Sequence, residues 1–325
     1  MTLLDFFILR AQQALYDGVI QPLLWLFGAM GLAERAFDAS EWPAIGLCEL
    51  AIMVPLLMLL EAAYPVEAVR DRRAIATDVL YSLLHRLGVV ALLVFALLAP
   101  AFDALEGALR LSGFSRLNLD AVWPGVTDRP LVAFLVYLVA LDFVDYWIHR
   151  AQHAWRWWWE LHAVHHSQQQ MTFWSDERNH LLDDVLRDAI FAAVALLIGV
   201  APEQFVGLVV ASRVLQSIQH ANVRLRLPPV LARLIVGPEF HRRHHGIGVG
   251  HEGDTWGVNF GVLLPWWDQL FGTADWQDGF VATGIRDQLA GRDYGRGLLS
   301  QHWFALRRIV NPRFFGRSAE GPQER

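Results

Sequence analysis

Long apolar runs set the pattern of the chain and predict helices that cross a membrane. A hydrocarbon core of about 30 Å can be spanned by three of them: residues 43–64, 75–100 and 130–149. A fourth apolar stretch, residues 185–219, is interrupted near its middle by Gly199 and Pro202, which favours a hairpin that enters the membrane and returns. We therefore predict an all-α, integral membrane helical bundle that crosses the bilayer several times.

The ends of the chain are more polar than its middle. Apolar positions near the N-terminus are broken by Asp5, Arg10 and Asp17, which is unlike a secretory signal and predicts an interfacial or partly inserted helix. Residues 318–325, at the other end, are charged and are predicted to be disordered. The sequence is therefore predicted to divide into three segments: an N-terminal interfacial or partly inserted helix (1–42), a membrane domain that carries the histidine motifs (43–275) and a C-terminal tail (276–325).

Composition agrees with a membrane protein and excludes other classes. Apolar residues make up 54% of the chain and charged residues 18%, a balance too apolar for an ordinary soluble domain. The net charge of −6, with scattered basic residues, offers no surface for a nucleic acid partner. Cys48 is the one cysteine, which excludes an intramolecular disulfide and a cysteine-rich metal site.

Arginines predict which side of the membrane the loops occupy. Arg70, Arg72 and Arg73 follow the first apolar run and place that loop in the cytoplasm, because cytoplasmic loops are enriched in basic residues. By alternation, the end of the third run, at residue 149, lies on the same side. The histidine-rich region that begins there is therefore predicted to form a cytoplasmic cap.

Histidines are concentrated in that region. Ten of the 13 histidines lie between residues 149 and 245, most of them in one HxxxH and two HxxHH motifs. Residues three or four apart share one face of a helix, so each motif presents its imidazoles together. Neutral imidazole suits iron, zinc and copper, and so many imidazoles exceed what one ion accepts, which predicts two neighbouring ions. The candidate ligands are His149, His153, His162, His165, His166, His180, His220, His241, His244 and His245.

Polar residues near these motifs have more than one interpretation. Asp142 and Asp145 precede His149 on one helical stripe and are either acceptors for ligand imidazole N–H groups or a carboxylate pair solvated at the membrane surface. Gln216 is paired with His220 at a spacing of four and is expected to support it. A pH-sensing histidine patch is also possible, but it does not explain the repeated spacing. The remaining histidines, not counted as ligands, are His85, His251 and His302.

A tryptophan-rich stretch joins the first two motifs. Its residues are Trp155, Trp157, Trp158 and Trp159. They are either an interfacial belt at headgroup depth or aromatic rings that pack a helix corner. In the first case, a lipid tail from the bilayer reaches the metals at this point.

The motifs resemble those of a known superfamily. HRAQH (149–153), LHAVHHS (161–167), Gln216 with His220, and HRRHH (241–245) are similar to the histidine boxes of the fatty acid hydroxylase and sterol desaturase superfamily, and 254–273 is similar to its closing segment. The resemblance implies a helical membrane fold with two metals in a cytoplasmic cap. It also implies O₂-dependent hydroxylation, desaturation or ether cleavage of a lipid. The ligands that it implies are His149, His153, His162, His165, His166, His220, His241, His244 and His245.

Two positions depart from the patterns of that superfamily. Gln216 lies where the superfamily often has another histidine. Ala154 follows the HxxxH motif, where the tetrahydrobiopterin-dependent ether-lipid oxygenases have glutamate. The second difference disfavours that subgroup.

The predicted function is therefore a membrane-bound oxidoreductase. Two iron ions, with zinc possible in the isolated protein, and O₂ as co-substrate would oxidise an unactivated C–H bond of a lipid or sterol-like molecule, as a hydroxylase or a desaturase. No flavin, haem or glycine-rich nucleotide motif is present in the sequence, so electrons are expected from a separate donor protein. The alternative is a membrane metal transporter or metal-binding protein without redox chemistry. A zinc hydrolase is disfavoured because there is no HExxH motif.

Overall fold

Helices dominate the computed structural model, which describes residues 3–200, 202–251 and 256–314. Within these ranges there are two isolated β-bridges and no strand, which confirms the all-α class. The tail predicted to be disordered, 318–325, lies outside the described residues. In chain order the α-helices are α1 (Leu3–Leu15), α2 (Gln21–Leu26), α3 (Ala33–Ala39), α4 (Glu41–Ala63), α5 (Arg72–Arg86), α6 (Val89–Leu111), α7 (Leu119–Val122), α8 (Pro130–Ala154), α9 (Arg156–His166), α10 (Leu181–Ile198), α11 (Pro202–His220), α12 (Pro229–Ala232), α13 (Pro238–His244), α14 (Trp266–Phe271) and α15 (Leu298–Val310).

Two of the described helices are long and apolar enough to cross a membrane: α4, with 23 residues, and α8, with 25. At about 1.5 Å per residue, each is longer than a hydrocarbon core of about 30 Å. They correspond to the first and third predicted spans. Large apolar side chains of α4, such as Ile52 and Leu59, are exposed, as expected of a surface that faces lipid.

The second predicted span, 75–100, is divided in the structure. Helix α5 ends at Arg86 and α6 begins at Val89, with Gly88 between them in the left-handed conformation at φ 75°. Glycine adopts this conformation without the steric cost of a Cβ. A Cβ there would also lie 3.3 Å from the ring of Pro43. The prediction of one continuous helix was wrong because the apolar pattern runs across a turn that glycine permits.

The interrupted apolar stretch 185–219 forms two helices. Helix α10 ends just before Gly199, which adopts the left-handed conformation at φ 73°. A Cβ on this glycine would lie 2.2 Å from the carbonyl oxygen of Leu117, so the close approach requires glycine. Helix α11 ends at His220, whose Nε2 lies 3.3 Å from Nε2 of His165. The predicted return of this stretch to the other histidines is therefore confirmed.

A buried apolar cluster holds α9 in position. It includes Tyr81, Trp158 and Ala305 and so joins α5, α9 and α15. Between α9 and α15, the buried guanidinium of Arg308 donates to Glu160 across 2.8 Å. Removal of one partner from such a pair leaves an uncompensated charge, at a cost of about 3–5 kcal/mol. Helix α15, which lies within the segment 276–325, thus belongs to the packing that supports the histidine motifs.

Candidate metal centre

The structure gathers nine of the ten candidate histidines into two adjacent buried clusters. In each cluster, every residue offers a nitrogen within 4.8 Å of the nitrogens that the others offer. The five-histidine cluster consists of His149, His153, His162, His166 and His244. The four-histidine cluster consists of His165, His220, His241 and His245.

Each HxxHH motif supplies both clusters. On α9, His162 and His166 belong to the five-histidine cluster, whereas His165 belongs to the four-histidine cluster. In the motif at the end of α13, His244 belongs to the first cluster and the other two histidines to the second. Successive residues on a helix are rotated by about 100°, so two adjacent histidines point to different clusters. The paired histidines of each motif therefore place the two clusters side by side.

Five histidines of the two HxxHH motifs are neutral at physiological pH. Burial, followed by the neighbouring imidazoles, lowers the pKa of His165, His166, His241 and His245 well below the usual value of 6.5. Burial lowers the pKa of His244 to about 3. Because the neutral ring is the form that coordinates a transition metal, these residues are in the protonation state that a metal site needs.

Several ring nitrogens have no hydrogen-bond partner among the described residues. Both nitrogens of His153, Nε2 of His162 and Nδ1 of His241 are buried in this way. In addition, Nε2 of His244 lies 3.1 Å from Nε2 of His166. Imidazole lone pairs that are removed from water and directed at one another are stabilised by a shared cation. The residues present therefore fit two transition-metal ions, one in each cluster.

Backbone carbonyl groups orient three of the rings. Nδ1 of His149 donates to the carbonyl oxygen of Phe260 at 2.8 Å, and Nδ1 of His244 donates to that of Val258 at 2.7 Å. In the four-histidine cluster, Nδ1 of His220 donates to the carbonyl oxygen four residues earlier on α11, at 2.8 Å. A donating Nδ1–H leaves Nε2 free to bind a metal and holds the plane of the ring.

Asp183 orients a fourth ring, and the sequence did not identify it. Its Oδ2 lies 3.0 Å from Nδ1 of His162, while Gln152 and Trp158 donate to its Oδ1 at 2.7 and 2.6 Å. In the sequence, Asp183 is three residues from His180. Its real partners come from α8 and α9, so no spacing within α10 could have revealed the contact.

Asp142 and Asp145 have partners other than the imidazoles predicted for them. Asp142 accepts from the backbone N–H groups of Leu263 and the next residue and from Nε1 of Trp267. Asp145 forms two hydrogen bonds with the guanidinium of Arg187, at 3.0 and 2.7 Å. Both carboxylates are buried, so they are not a solvated surface pair either. They fix the packing of α8 against the closing segment and α10.

His180 and Gln216 also lie differently from the prediction. His180 is outside both clusters, and its Nδ1 accepts from the backbone N–H of Leu182 at the start of α10. Its ring stacks on that of His302, with centroids 4.3 Å apart. The side chain of Gln216 donates to Ser212, and it is the backbone of Gln216 that supports the cluster histidine one turn later.

The tryptophan-rich stretch divides into two pairs. Trp155 and Trp157 are exposed, whereas Trp158 and Trp159 are buried. Trp159 packs against rings of the five-histidine cluster, with centroid distances of 5.0 and 5.3 Å. Both interpretations of the stretch therefore have residues that fit them.

His251, which was not predicted to be a ligand, lies beside the five-histidine cluster. Its Nδ1 donates to the backbone carbonyl oxygen of His153 at 2.6 Å, and its ring stacks on Trp159.

A cavity of about 540 Å³ opens on both clusters. His149 and His162 of the five-histidine cluster line it, as do His165 and His241 of the four-histidine cluster. The cavity then extends between α6, α8, α10 and α11, away from the histidines. A cavity of this size accommodates a ligand or a large part of one.

Comparison with known proteins gives matches that include the region of the histidine motifs. The family model for fatty acid hydroxylase matches residues 134–273. The ornithine lipid hydroxylase OlsE of Rhizobium tropici is 30% identical over 224 residues, which cover 68% of this chain and 64% of that protein. The lathosterol oxidase of Mus musculus is 24% identical over 177 residues, covering 54% and 56%. The alkylglycerol monooxygenase of Homo sapiens is 27% identical over 158 residues, covering 49% and 34%.

The matched region contains the whole of α9 and α13 and the histidine-bearing end of α8. The matched region and these relatives support the fatty acid hydroxylase and sterol desaturase superfamily, which the histidine motifs predicted. These three relatives are a hydroxylase, a monooxygenase and an oxidase of lipids or sterols by name, which supports an oxidoreductase. The chain spans less than two thirds of the length of each of these three relatives. No solved structure matches it.

Proposed function

We propose that this protein is a membrane-bound, O₂-dependent lipid hydroxylase with an iron ion in each histidine cluster. One observation carries the proposal: nine histidines form two adjacent buried clusters that face a single cavity. The names of the relatives support lipid oxidation in particular. A transporter would need metal-binding groups along a path through the spans, whereas these groups meet at the ends of α8, α11 and α13 and on α9.

The five-histidine cluster and the four-histidine cluster would each hold one iron ion through their imidazole nitrogens. When bound, the pair of ions supplies the capacity to activate O₂ for insertion into an unactivated C–H bond. The protein contributes the fixed positions of the rings. Phe260, Val258 and Asp183 set the orientation of three imidazoles in the five-histidine cluster, so these ligands need no rearrangement when a metal binds.

The cavity would bring the substrate to the histidine face and exclude water from it. The ligand side chains are buried, with exposed fractions of at most 7%. A dry site of this kind protects the reaction from competing hydrolysis and proton leakage. It also holds the C–H bond within reach of the clusters, and positioning of this kind supplies a large part of the rate enhancement in many enzymes. Electrons would come from a separate donor protein.

We place α4 and α8 across the bilayer and the histidine clusters on its cytoplasmic side. The exposed apolar side chains of α4 support the first part. The arginines that follow α4 in sequence, Arg70, Arg72 and Arg73, support the second. Exposed Trp155 and Trp157 would then lie at headgroup depth, next to the end of α8. Substrate would enter the cavity from the lipid phase.

Iron content, O₂ consumption and product mass of detergent-purified protein test the proposal together. We expect about two iron ions per chain and, with reductant and an ornithine lipid, a product that has gained one oxygen atom. Loss of two hydrogen atoms would indicate a desaturase instead. A His241→Ala, His244→Ala variant that keeps its metal and activity, or metal flux into vesicles without any product, would contradict the assignment.

A further inference from the structure

The cavity beside the clusters changes in polarity along its length. On α8, its wall carries His149, then Asp145, then Leu141 and Leu138. These residues are three or four positions apart, so each step moves about 5.4 Å along the helix axis. Within about three turns, the wall passes from a histidine of the metal centre through a carboxylate to apolar side chains.

The walls formed by α10 and α11 have the same order. On α10, Asp184 and Arg187 lie towards the start of the helix, where it contacts the five-histidine cluster, and Phe191 lies one turn further on. On α11, which ends in a histidine of the four-histidine cluster, Arg213 lies closer to that end and Val209 one turn away from it. Both helices therefore turn from charged to apolar with increasing distance from the clusters.

The wall formed by α5 and α6 repeats this order. Arg86, at the end of α5, donates to Asp176 at 2.7 Å, and Val90 and Val94 follow on α6. Four independent chain segments thus change from polar to apolar in the same direction. We call the part bounded by Asp145, Asp184, Arg187 and Arg213 the polar zone, and the part bounded by Val94, Leu138, Phe191 and Val209 the apolar zone. The polar zone separates the apolar zone from the histidines.

Most charged groups of the polar zone neutralise one another. Besides the contact of Asp145 with Arg187, Nε2 of His85 lies 3.1 Å from Asp184. Asp188 is different: it lines the cavity on α10, but no described residue forms an ion pair or hydrogen bond with its carboxylate. It is one position beyond Arg187 and three before Phe191, at the boundary of the two zones. Its side chain is half-buried, and a carboxylate that is partly withdrawn from bulk water is stabilised by a cation.

We propose that the cavity takes an amphipathic lipid polar end first and oxidises it in the headgroup half of the molecule. A cationic amine of the headgroup lies against Asp188, the headgroup occupies the polar zone, and the acyl chains occupy the apolar zone. Asp188 is five residues beyond Asp183, or about 7.5 Å along the axis of α10. The part of the headgroup that lies beyond the amine, on the side of Asp183, is therefore the part that meets the histidine clusters.

This inference rests on the proposed function, and the reaction balances as a hydroxylation. One atom of O₂ enters a C–H bond to give an alcohol, and the other leaves as water. Two electrons come from a one-electron carrier protein and two protons from solvent. The end of the substrate that is oxidised is the headgroup, and it carries a positive charge.

Fragmentation mass spectrometry of the product locates the new oxygen. The probe is a synthetic ornithine lipid, given to iron-loaded protein in detergent with a ferredoxin, its reductase and NADPH. We expect the added oxygen in the headgroup fragment. Oxygen in an acyl fragment would overturn the inference and leave the proposed function intact. No product and no O₂ consumption with any lipid, at full iron content, would overturn the proposed function and the inference with it.

The amine is tested by comparing the same lipid with its amine free and acetylated. We expect the free amine to lower KM about 10-fold in the unmodified protein, since a hydrogen bond between charged groups contributes about this much. Asp188→Asn should abolish the preference without changing iron content, and Asp188→Glu should retain it. Asp120→Asn, on the exposed helix α7, is the matched control. Equal KM values for the two lipids in the unmodified protein would overturn the role of Asp188 even if the variants fold poorly.

Discussion

The two histidine clusters are built from the same motifs but are supported unequally. In the five-histidine cluster, three rings are oriented from outside: His149 and His244 by backbone carbonyl groups and His162 by the carboxylate of Asp183. In the four-histidine cluster, only His220 has such a contact among the described residues. Equal ligand motifs therefore do not give equal metal sites.

The physical reason lies in what surrounds each cluster. The five-histidine cluster is bordered by the start of α10 and by the closing segment around Phe260, both of which present hydrogen-bond acceptors to its rings. In the four-histidine cluster, the imidazoles mostly face one another, with Nε2 of His241 3.1 Å from that of His220 and 3.2 Å from that of His245. We expect the first cluster to bind its ion more tightly and the second to exchange its ion more readily.

Removal of one ligand from each cluster should give the largest effects. His241→Ala leaves three imidazoles in its cluster, whereas His153→Ala leaves four. We expect both to reduce activity at least about 1,000-fold because the chemistry requires two ions. His241→Ala should lower iron to about one ion per chain, while His153→Ala retains more. Elemental analysis after gel filtration measures this, and equal metal loss in the two variants would remove the difference between the clusters.

A change of the orienting carboxylate should have the next largest effect. Asp183→Asn removes the charged acceptor of His162, and we expect metal affinity to fall about 10- to 100-fold. Asp145→Asn is the control, because that carboxylate contacts Arg187 and no imidazole. It should destabilise the fold while changing metal affinity less than about 3-fold. A competitive chelator titration decides between them, and similar affinities for both variants would count against the role of Asp183.

Stepwise removal of metal should reveal a smaller difference in the unmodified protein. We expect a chelator to remove the ion of the four-histidine cluster first, with dissociation constants that differ about 10-fold between the clusters. The spectroscopic signature of one remaining ion should match that of the His241→Ala variant. Simultaneous release of both ions would indicate that the clusters behave as one site.

Substitution of His180 should have the smallest effect on the metal centre. His180→Ala removes a side chain that caps α10 and lies outside both clusters, so iron content and affinity should stay unchanged. The lost cap should reduce the free energy of unfolding by about 1 kcal/mol. His180→Asn, which retains a capping group, should recover most of this stability. Metal loss in His180→Ala would return this residue to the set of ligands.

The motifs that carry the chemistry could be recognised because their geometry is local. Residues three and four apart on a helix always lie on one face, so two HxxHH motifs and one HxxxH motif predict grouped imidazoles whatever surrounds them. The apolar runs of α4 and α8 are equally local, since a helix of that length and composition is long enough to cross a bilayer. The motifs alone also identified the superfamily.

The environment of the site depended on contacts between distant segments. Asp142 and Asp145 share a stripe with His149, yet residues on other helices and in the closing segment determine their partners. Asp183, three residues from His180, orients His162 because α10 packs against the ends of α8 and α9. Sequence spacing therefore determined which imidazoles share a helix face. Only the tertiary structure decided which carboxylate supports them, how the histidines divide into two clusters and where the cavity changes from polar to apolar, because each of these depends on how separate helices pack together.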